Sequence, residues 1–543
     1  MSAPPALVPF DRDSRAYHQR WFILGVMCLS LLIIIVDNSI LNVALPTLSG
    51  PVADGGLGAS TSQQQWMVDS YTLVFAGLLL TAGSLGDRYG RRGALQIGLT
   101  VFGLGSLASA FADTANQLIV TRSIMGIGGA FIMPATLSII TNVFPPEERG
   151  RAIALWAAVA GIGVALGPIS GGFLLEHFYW GSIFLVNLPI VAFALLAGFF
   201  VVPTSRDPSR PKQDPIGAGL SIVGLMALVF AIIQAPDWGW SDPRILGAFA
   251  FALLVLGAFA LWERHSDHPM LDVTFFRNPR FSAASAGITL IFFAMFGTIF
   301  LLTQHLQLVM GYSPFEAGVR LLPWAAVMLV VAPTSVRIVE RVGTKIVVAS
   351  GLAIAGVALA LFTTLPGQGA SYPGDVLWRM MLLATGMGLT MAPATESIMG
   401  SLPRAKAGVG SAVNDTTRQV GGALGVAIVG SVTSSIYVSR VDDVLVGRPI
   451  PAAARAAAED SLGGALAVAR KLPADAGQQL ASAAKDAFIA GLHRGVIVAS
   501  AAALLGAFVA WRWLPARGTE ADQYAPARAD EVLVPEPAFA ETP

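Results

Sequence analysis

The chain contains little cysteine, little charge and no excess of basic residues. Cys28 is the only cysteine among 543 residues, which excludes a disulfide within the chain and a cysteine-built metal site. The six histidines form no cluster with ligand spacing, so no metal site is expected. Charged residues make up 13% of the chain, against roughly 25% in a soluble domain. Because the net charge is zero, the sequence indicates no binding of nucleic acid.

Several signals of targeting and catalysis are also missing. The N-terminal segment 1–20 has no apolar stretch, so a cleavable signal peptide is not expected and the first hydrophobic segment must direct insertion. No nucleophile–base pair and no phosphate-binding loop occurs. The sequence therefore predicts no enzyme, no catalytic residue and no cofactor.

Long apolar segments are what the sequence has instead. Hydrophobic residues make up 54% of the chain, and a helix needs about 20 mostly apolar residues to cross a bilayer. Two of the segments that meet this length, 282–310 and 407–438, are overlong, which predicts tilt or an extension beyond the membrane. Fourteen spans are predicted, at 21–46, 66–86, 94–112, 117–143, 152–175, 181–202, 216–235, 244–262, 282–310, 315–336, 346–365, 377–400, 407–438 and 491–514.

The distribution of basic residues tests this set of spans. The loops after the even-numbered spans hold 16 arginine and lysine residues, whereas the short loops after the odd-numbered spans hold none. Cytoplasmic loops are enriched in these residues. The alternation predicts a multi-pass protein of the cell membrane with both termini in the cytoplasm.

An internal repeat divides the spans into two sets. The loop after span 2 reads "DRYGRR" from Asp87, and the loop after span 10 reads "ERVGTK" from Glu340. The pairing matches spans 1–6 to spans 9–14 and leaves spans 7 and 8 as an insert. The fold predicted is all-α and polytopic, with two six-helix halves plus two inserted helices.

The repeat also gives a division of the chain, with the alanine-rich stretches of one long loop expected to form two external helices. The segments are a cytoplasmic N-terminus at 1–20, an N-terminal half at 21–202, a linker with the inserted helices at 203–262, a C-terminal half at 263–514 that contains an extracellular loop at 439–490, and a disordered cytoplasmic tail at 515–543.

Four motifs carry a resemblance to a known family. They are "DNSILNVALP" in span 1, "GSLGDRYGRRGAL" after span 2, "RSIMGIGGA" in span 4 and "GIGVALGPISGG" in span 5, and a fifth stretch, "QWMVDSYTLVFAG", narrows the match. With these motifs the chain resembles the fourteen-helix drug/proton antiporter branch of the major facilitator superfamily, and within it the exporters of quaternary-ammonium and acriflavine type. The resemblance implies a multidrug efflux antiporter, associated with antibiotic resistance and driven by the proton gradient.

The loop after span 2 is expected to form a cytoplasmic gate. Charged hydrogen bonds at the ends of two helices can hold neighbouring spans together, and breaking them would favour the inward-open state. The alternative is that the arginines only set topology. The gate residues expected are Gly83, Gly86, Asp87, Arg88, Gly90, Arg91 and Arg92.

Span 5 carries glycines every four residues, which predicts a smooth stripe for close helix packing. A proline within the stripe removes a backbone donor and predicts a bend. The resemblance identifies this pattern with exporters rather than importers, and ordinary small-residue packing is the alternative. The residues are Gly163, Gly167, Pro168, Gly171 and Gly172.

Two acids and one arginine interrupt the apolar spans of the N-terminal half. Asp37 lies sixteen residues after Trp21, or ~24 Å along the helix, in its outer half. Asp69 in span 2 and Arg122 in span 4 are expected at a similar depth. Such a set could couple protonation to conformation. The alternatives are a carboxylate bonded to neighbouring backbone for Asp37 and a headgroup position for Asp69.

The C-terminal half has its own charged residues. Asp415 and Arg418 are three residues apart on one face of span 13, either for proton coupling or as a self-satisfied ion pair. Glu396, near the end of span 12, is a coupling group or a solvated rim residue. Arg320 is an external gate or a snorkelling rim residue.

A substrate cavity is expected between the halves. Phenylalanine, methionine and glutamine in spans 9 and 10 would give an adaptable apolar wall with sparse polar groups, although lipid-facing or core positions are the alternative. The residues assigned to the cavity are Asn38, Asn42, Phe296, Gln304 and Gln307.

The sequence thus predicts proton-coupled efflux of amphipathic, cationic drugs by alternating access, carried out by a monomer whose partners are drugs, protons and the lipid bilayer. A dedicated exporter of one antibiotic or other natural product is the alternative, followed by an uptake symporter. A membrane enzyme or receptor is disfavoured. Two departures from the family concern Gly181-Ser182, where the family commonly has Arg-Trp, and span 13. There, exporters of dications often have extra acids, whereas this chain has Arg418 and Gln419, so monocations are favoured over dications.

Overall fold

The computed structural model describes residues 14–50, 56–207, 213–445 and 451–516. Within these ranges the chain forms helices and no β-strand. Most of the predicted N-terminal segment, residues 1–13, and the predicted tail from residue 517 onward lie outside the described residues.

Fourteen long helical segments follow the order of the predicted spans, and four of them are interrupted by a break or a π-helical turn. In chain order the spans are Arg20–Ser49, Thr61–Tyr89, Arg91–Ala110, Ala115–Val143, Pro146–His177, Ser182–Leu185 with Asn187–Val201, Pro215–Trp238, Pro243–His265, Pro279–Gln304 with His305–Val309, Pro314–Arg320 with Leu322–Val342, Thr344–Phe362, Tyr372–Leu377 with Trp378–Gly400, Ala407–Leu445 and Ala474–Trp513.

Span 12 differs from the others in composition. Thirteen helices of the described residues are long and apolar enough to cross a membrane, and Trp378–Gly400 is not among them. This 23-residue helix contains Arg379, Glu396 and three threonines, yet most of its residues are buried and it packs against spans 10 and 11. A helix that faces protein rather than lipid can carry more polar residues. The predicted span 12 is therefore present as a helix, but it is less apolar than the other thirteen spans of the described residues.

Local sequence explains where many spans begin. Proline occupies the first turn of spans 5, 7, 8 and 9, where its missing N–H would have no helical partner. Ser60 and Gln63 form a capping box at the start of span 2. Between spans 2 and 3 the chain turns at Gly90, with φ +121°, and between spans 10 and 11 at Gly343, with φ +86°. Glycine suits both turns because it has no Cβ to oppose a positive φ.

The two ends of the helix bundle differ in charge. We name the end that carries the turns at Gly90 and Gly343 the basic end, because its loops hold the arginine and lysine residues counted above. The other end, which carries the segment between spans 13 and 14, is the opposite end.

The halves meet along two pairs of helices. Span 2 packs against span 13, and span 5 packs against both parts of span 10. Span 4 also touches span 13, and span 5 touches span 12. The repeat pairs span 2 with span 10 and span 5 with span 13, so each contact joins two non-equivalent helices across the seam.

The inserted helices lie at one side of this seam. Spans 7 and 8 pack against each other, and span 7 also packs against span 2 of one half and span 13 of the other. Span 8 exposes large apolar side chains such as Phe251, Leu253 and Leu254, which suits contact with lipid. Trp262 donates from Nε1 to the Asp214 carboxylate at 2.8 Å, which ties the two inserted helices together.

The segment between spans 13 and 14 is more continuous than predicted. Span 13 runs on to Leu445, and the last span begins at Ala474, so the second predicted external helix is the first part of span 14. The first predicted external helix is instead two helices, Ala452–Asp460 and Leu462–Ala469, because Ser461 ends one and caps the other by accepting from Gly464 N. The Tyr437 hydroxyl donates to Ala458 O at 2.8 Å and holds this segment on span 13.

Candidate functional site

Asp37 and Arg122 form a fully buried ion pair inside the N-terminal half. The side chains of both residues are 0% exposed. Arg122 Nη1 donates to Asp37 Oδ2, Arg122 Nη2 donates to Asn38 Oδ1 at 3.2 Å, and Arg122 Nε donates to Met67 O at 3.2 Å. Two charges removed from water are tolerated when they are paired and their remaining donors are satisfied. Spans 1, 2 and 4 are thus joined through one guanidinium group.

Two residues that the sequence reasoning did not assign complete this cluster. Asn187 of span 6 donates from Nδ2 to Asp37 Oδ1 at 3.1 Å and lies 3.1 Å from Ser106 Oγ. The Tyr71 ring lies 4.4 Å from Arg122 Cζ. The sequence did contain a signal for Asn187, because it is a polar residue within the apolar stretch "IFLVNLP" and buried polar groups in spans usually have a partner.

Asp69 does not share the contacts of that ion pair. Gln65, one turn earlier on the same face of span 2, donates to Asp237 Oδ2 of span 7 at 2.5 Å. Asp69 Oδ2 is buried without a hydrogen-bond partner. Asp69 therefore faces the insert, and the insert brings a carboxylate to it from just beyond its apolar stretch.

Asp87 links the two halves at the basic end. Its Oδ1 accepts from Arg91 Nε at 2.8 Å, from Arg91 Nη2 at 2.6 Å and from Gly408 N at 2.8 Å, while its Oδ2 accepts from Val409 N at 3.0 Å. Gly408 and Val409 are in the first turn of span 13, whose free N–H groups favour an anion. Arg91 also donates to the carbonyls of Arg404 and Ala405. We name this set, Asp87, Arg91 and the backbone of 404–409, the basic-end clamp.

Glycines allow the clamp to close. A Cβ on Gly83 would lie 2.6 Å from Gly408 O, and a Cβ on Gly408 would lie 2.6 Å from both Gly83 O and Asp87 Oδ1. Gly86 is also buried, in the last turn of span 2. Either Cβ at the seam would push the two halves apart at this point, so the close approach requires glycine on both sides.

The other arginines of the motif have different contacts. Arg92 lies over the Phe199 ring, with 5.0 Å between Cζ and the centroid, and donates to Val202 O at the end of span 6. Arg88 lies 5.3 Å from the Tyr89 ring centroid. The hydrogen bonds of Arg91, by contrast, reach the backbone of the other half.

Asp415 and Arg418 lie buried in span 13 but do not form an ion pair with each other. Asn414 Nδ2 donates to Asp415 Oδ1 at 3.3 Å, and Asp415 Oδ2 has no hydrogen-bond partner. Arg418 Nη2 donates to Thr395 Oγ1 at 2.9 Å. The Arg418 guanidinium is 4.8 Å from the Trp156 ring of the other half and 5.3 Å from the Phe292 ring. The alternative of a self-satisfied pair is thus not what the geometry shows.

Glu396 lies apart from these groups. Its Oε2 is 3.7 Å from Arg280 Nη2 at the start of span 9, and its side chain is 30% exposed. Since that arginine belongs to the basic end, Glu396 has the position of a rim residue. Arg320, at the opposite end, stacks on Tyr312 with Cζ 3.5 Å from the ring centroid.

The glycine stripe of span 5 faces span 1. A Cβ on Gly163 would meet Ile35 at 2.7 Å and one on Gly171 would meet Ile40 at 2.8 Å, while Gly167 abuts Ser39. Gly172 and Pro168 face span 10 instead, at Phe315 and Gly318. The helix runs unbroken from Pro146 to His177 through Pro168. The stripe therefore serves close packing within the N-terminal half and contact across the seam.

The residues assigned to a substrate cavity are not all gathered in one place. Asn38 accepts from Arg122, and Asn42 donates to Asn38 O at 3.2 Å. Phe296 is 40% exposed, stacks on Phe292 and faces Gly422 of span 13. Gln304 and Gln307 are half-buried and lie at the far end of span 9. The structure thus places two of the five beside the ion pair and one against span 13 of its own half.

The family model that matches the chain is described as Major Facilitator Superfamily and covers residues 27–426. The chain belongs to this superfamily. Its likeness to solved members shows the same fold. The human organic anion transporter MFSD10 (TETRAN) is 17% identical with a TM-score of 0.56, covering 90% of this chain and 98% of that one. The proton:xylose symporter XylE bound to 6-bromo-6-deoxy-D-glucose is 15% identical with a TM-score of 0.55, covering 91% and 96%.

Curated relatives confirm the resemblance to the superfamily's exporters. The multidrug efflux pump LfrA of Mycolicibacterium smegmatis is 36% identical over 497 residues, 91% of this facilitator and 96% of the relative. The tetracenomycin C resistance and export protein of Streptomyces glaucescens is 33% identical, covering 93% of each. The methyl viologen resistance protein SmvA of Salmonella typhimurium is 34% identical, covering 91% and 98%.

Proposed function

We propose that this facilitator exports amphipathic, cationic drugs across the cytoplasmic membrane in exchange for protons. The buried pair of Asp37 and Arg122 carries the proposal, because an ionisable pair inside an apolar bundle is retained where charge is moved rather than where packing is needed. The names of relatives that match over most of the chain, a multidrug efflux pump among them, support drug export.

Proton coupling follows from the contacts of Asp37. Arg122 and Asn187 both donate to its carboxylate. Protonation of Asp37 removes the negative charge that holds Arg122, so the attraction between spans 1 and 4 weakens and a different packing of the half becomes accessible. Asp69 and the unpaired Asp415 are further proton acceptors in this proposal, with Arg418 beside the second, while Glu396 acts at the rim.

Alternating access follows from the basic-end clamp. In the proposed orientation the basic end and both termini are cytoplasmic, so the clamp closes the pathway toward the cytoplasm. Inward opening requires Asp87 to leave the N–H groups of Gly408 and Val409. The halves then rock about a site between them. All of these groups come from one chain, so the proposed working unit is a monomer.

The proposed drug site lies where aromatic rings face the seam. Trp156 of span 5 and Phe292 of span 9 lie against the Arg418 guanidinium, and Phe296 stacks on Phe292. Aromatic faces attract organic cations, and a drug that binds there competes with Arg418 for the same rings. Asp415 supplies the negative charge for such a drug when it is ionised.

The test is transport by the purified protein in proteoliposomes. Efflux of a fluorescent monocation is measured with an imposed pH gradient, with the gradient collapsed by a protonophore, and with the gradient reversed. We expect accumulation that follows the direction of the gradient and drug-dependent proton movement in the opposite direction. Equal transport with and without the gradient would refute proton coupling, and no transport of any cation or neutral drug in a panel would refute drug export.

A dedicated exporter of one natural product is the second candidate. It is favoured by the likeness to the tetracenomycin C resistance and export protein. Both candidates use the same coupling groups and differ in the drug site. A resistance profile limited to one compound in the panel would select this candidate.

A further inference from the structure

Residues 203–207, which directly follow span 6, contact the basic-end clamp. We name residues 203–207 the strap. We propose that the strap is a third part of the cytoplasmic gate and that Asp207 is a positioning residue, which holds Asp87 through its backbone and joins the C-terminal half through its carboxylate. This rests on the proposed function only in that the gate opens and closes during transport.

Two backbone hydrogen bonds fix the strap to the clamp. Arg91 N donates to Ser205 O at 3.0 Å, and Asp207 N donates to Asp87 O at 2.6 Å. Arg91 and Asp87 are the residues whose side chains form the clamp. The strap therefore sets the backbone position of both, although it makes no bond to their charged groups through these contacts.

A side-chain contact carries the strap across the seam. Asp207 is 2% exposed, and its Oδ2 lies 3.6 Å from Lys406 Nζ. Lys406 ends the short turn that leads into span 13. Because the carboxylate is buried and the lysine is 30% exposed, their attraction is screened less by water than that of a surface pair. The strap thus bonds to the N-terminal half by backbone and to the C-terminal half by charge.

The C-terminal half contains an equivalent of the backbone hydrogen bond between Arg91 and Ser205. At the repeated turn, Thr344 N donates to Ala516 O at 2.9 Å, just after span 14, as Arg91 N does to Ser205 just after span 6. The backbone tie is therefore common to both halves. Glu340, the repeat partner of Asp87, is exposed. The contact of Asp207 with Lys406 is additional to this backbone tie and crosses the seam, which points to a role in the gate rather than in the turn.

The strap and the start of the inserted helices line the same cavity as the clamp. A cavity of about 410 Å³ lies between the clamp, the strap and the start of span 7. Its wall includes Asp87, Arg88, Asp207, Asp214, His268 and Lys406. Asp214, seven residues after Asp207, caps span 7 by accepting from Gly217 N and binds Trp262. When the clamp opens, the strap must release Lys406, and the insert is the element to which the strap leads.

The experiment measures gate opening directly. A reporter cysteine replaces Ala412, which is buried at the seam next to Gly83, in a full-length chain that also carries Cys28→Ser. The rate of labelling by a membrane-impermeant thiol reagent is measured from the cytoplasmic side of inverted vesicles. Asp207→Asn and Lys406→Gln should each raise this rate roughly threefold to tenfold, the range expected when a partly buried ion pair is lost.

Three further variants separate a gate role from a merely structural one. Asp207→Glu should keep the parent labelling rate, and the exchange of charges in Asp207→Lys with Lys406→Asp should restore it. Asp214→Asn is the matched control, because that carboxylate lines the same cavity but bonds within the insert. Thermal stability in detergent should stay close to the parent value for all of them.

Unchanged labelling in both Asp207→Asn and Lys406→Gln would overturn the proposal. So would equal increases in Asp214→Asn, or an increase in Asp207→Asn that the exchanged pair does not reverse. If Asp207→Asn does not fold, Lys406→Gln alone decides the outcome. The labelling needs neither drug nor proton gradient. If the variants change the labelling rate but the protein exports no drug, the role of the strap is supported and the proposed function is refuted.

Discussion

At the scale of single residues, Arg122 shows how a charge is accommodated inside this bundle. Its guanidinium contacts the Asp37 carboxylate, the Asn38 amide oxygen, the Met67 carbonyl and the Tyr71 ring. Each of the three guanidinium nitrogens therefore donates at least one hydrogen bond. Such a group cannot be removed without leaving its partners exposed to an apolar medium.

Asp37→Asn tests the carboxylate of this cluster. Asparagine keeps the volume and can still bond to Asn187, but Arg122 loses its counter-charge. Breaking a buried pair costs about 3–5 kcal/mol. We expect gradient-driven efflux to be lost and the thermal midpoint to fall, measured in proteoliposomes and in detergent. Asp242→Asn is the control, since that acid pairs with Arg244 in an exposed position. Active efflux at the parent rate in Asp37→Asn would contradict the coupling role.

Asn187→Ala tests the residue that the sequence reasoning missed. The change removes a donor to Asp37, and a hydrogen bond to a charged group is worth about 1.5–3 kcal/mol. Because Asn187 contacts the ion pair and not the aromatic rings of the proposed drug site, we expect kcat to fall while KM for the drug stays constant. Ser106→Ala, which leaves the donation to Asp37 in place, should have a smaller effect. A rise in KM alone would instead place Asn187 in the drug site.

The residues show what sequence can and cannot reveal at this scale. Asp37, Asp69 and Arg122 were found because ionisable groups are rare in apolar spans. Their depth follows from helix rise, but the direction in which each points depends on how the helices rotate when they pack. Thus the sequence grouped Asp69 with Arg122, whereas Asp69 lies on the face of span 2 where Gln65 binds Asp237 of the insert. Contacts that form only through tertiary packing, such as Asn187 with Asp37, have no local signal strong enough to assign a partner.

At the scale of elements, span 7 is held between the two halves. It packs against spans 2 and 13, and Gly77 of span 2 abuts Met226. Hydropathy predicted spans 7 and 8 because an apolar run of this length is typical of a helix that crosses the membrane. It did not predict Asp237, which lies just after the run and meets Gln65. The hydrophobic pattern is weakest at the ends of helices, and the contact between Gln65 and Asp237 forms at such an end.

Substitutions in the insert should separate packing from function. Gln234→Leu and Trp262→Phe lie within the apolar helices, so we expect modest changes in stability or rate and the same ranking of exported drugs. Asp237→Asn should act differently, because it removes the carboxylate that accepts from Gln65, which lies one turn from Asp69 on the same face of span 2. We expect a changed dependence of efflux on pH at the opposite end. A switch of drug specificity in Gln234→Leu or Trp262→Phe would show that the insert belongs to the drug site.

At the scale of the whole molecule, the two halves repeat their shape but not their charges. Both turns use a glycine with positive φ, and both tie the following residue to the exit of the half's last helix. The sequence repeat predicted this correspondence from "DRYGRR" and "ERVGTK". It could not predict that Asp87 would be buried against span 13 while Glu340 would be exposed, because the difference arises from the seam and not from the turn.

This asymmetry gives a matched pair of variants for the gate. Asp87 accepts four hydrogen bonds, two from Arg91 and two from the first turn of span 13. In Asp87→Asn the amide nitrogen cannot accept, so some of these donors lose their partner and the anion at the helix N-terminus is gone. Glu340→Gln makes the same chemical change at the equivalent turn of the other half, where no clamp is formed by the exposed side chain.

We therefore expect different labelling rates from Asp87→Asn and Glu340→Gln in the same measurement. With the Ala412→Cys reporter on the Cys28→Ser background, Asp87→Asn should increase cytoplasmic labelling about tenfold or more, since the loss of about 1.4 kcal/mol already shifts an equilibrium by that factor. Glu340→Gln should leave the rate unchanged. Equal labelling in both variants, with normal transport, would mean that the arginines of the loop set only the topology and that the clamp does not control opening. An increase confined to Asp87→Asn would show that one half alone carries the cytoplasmic gate.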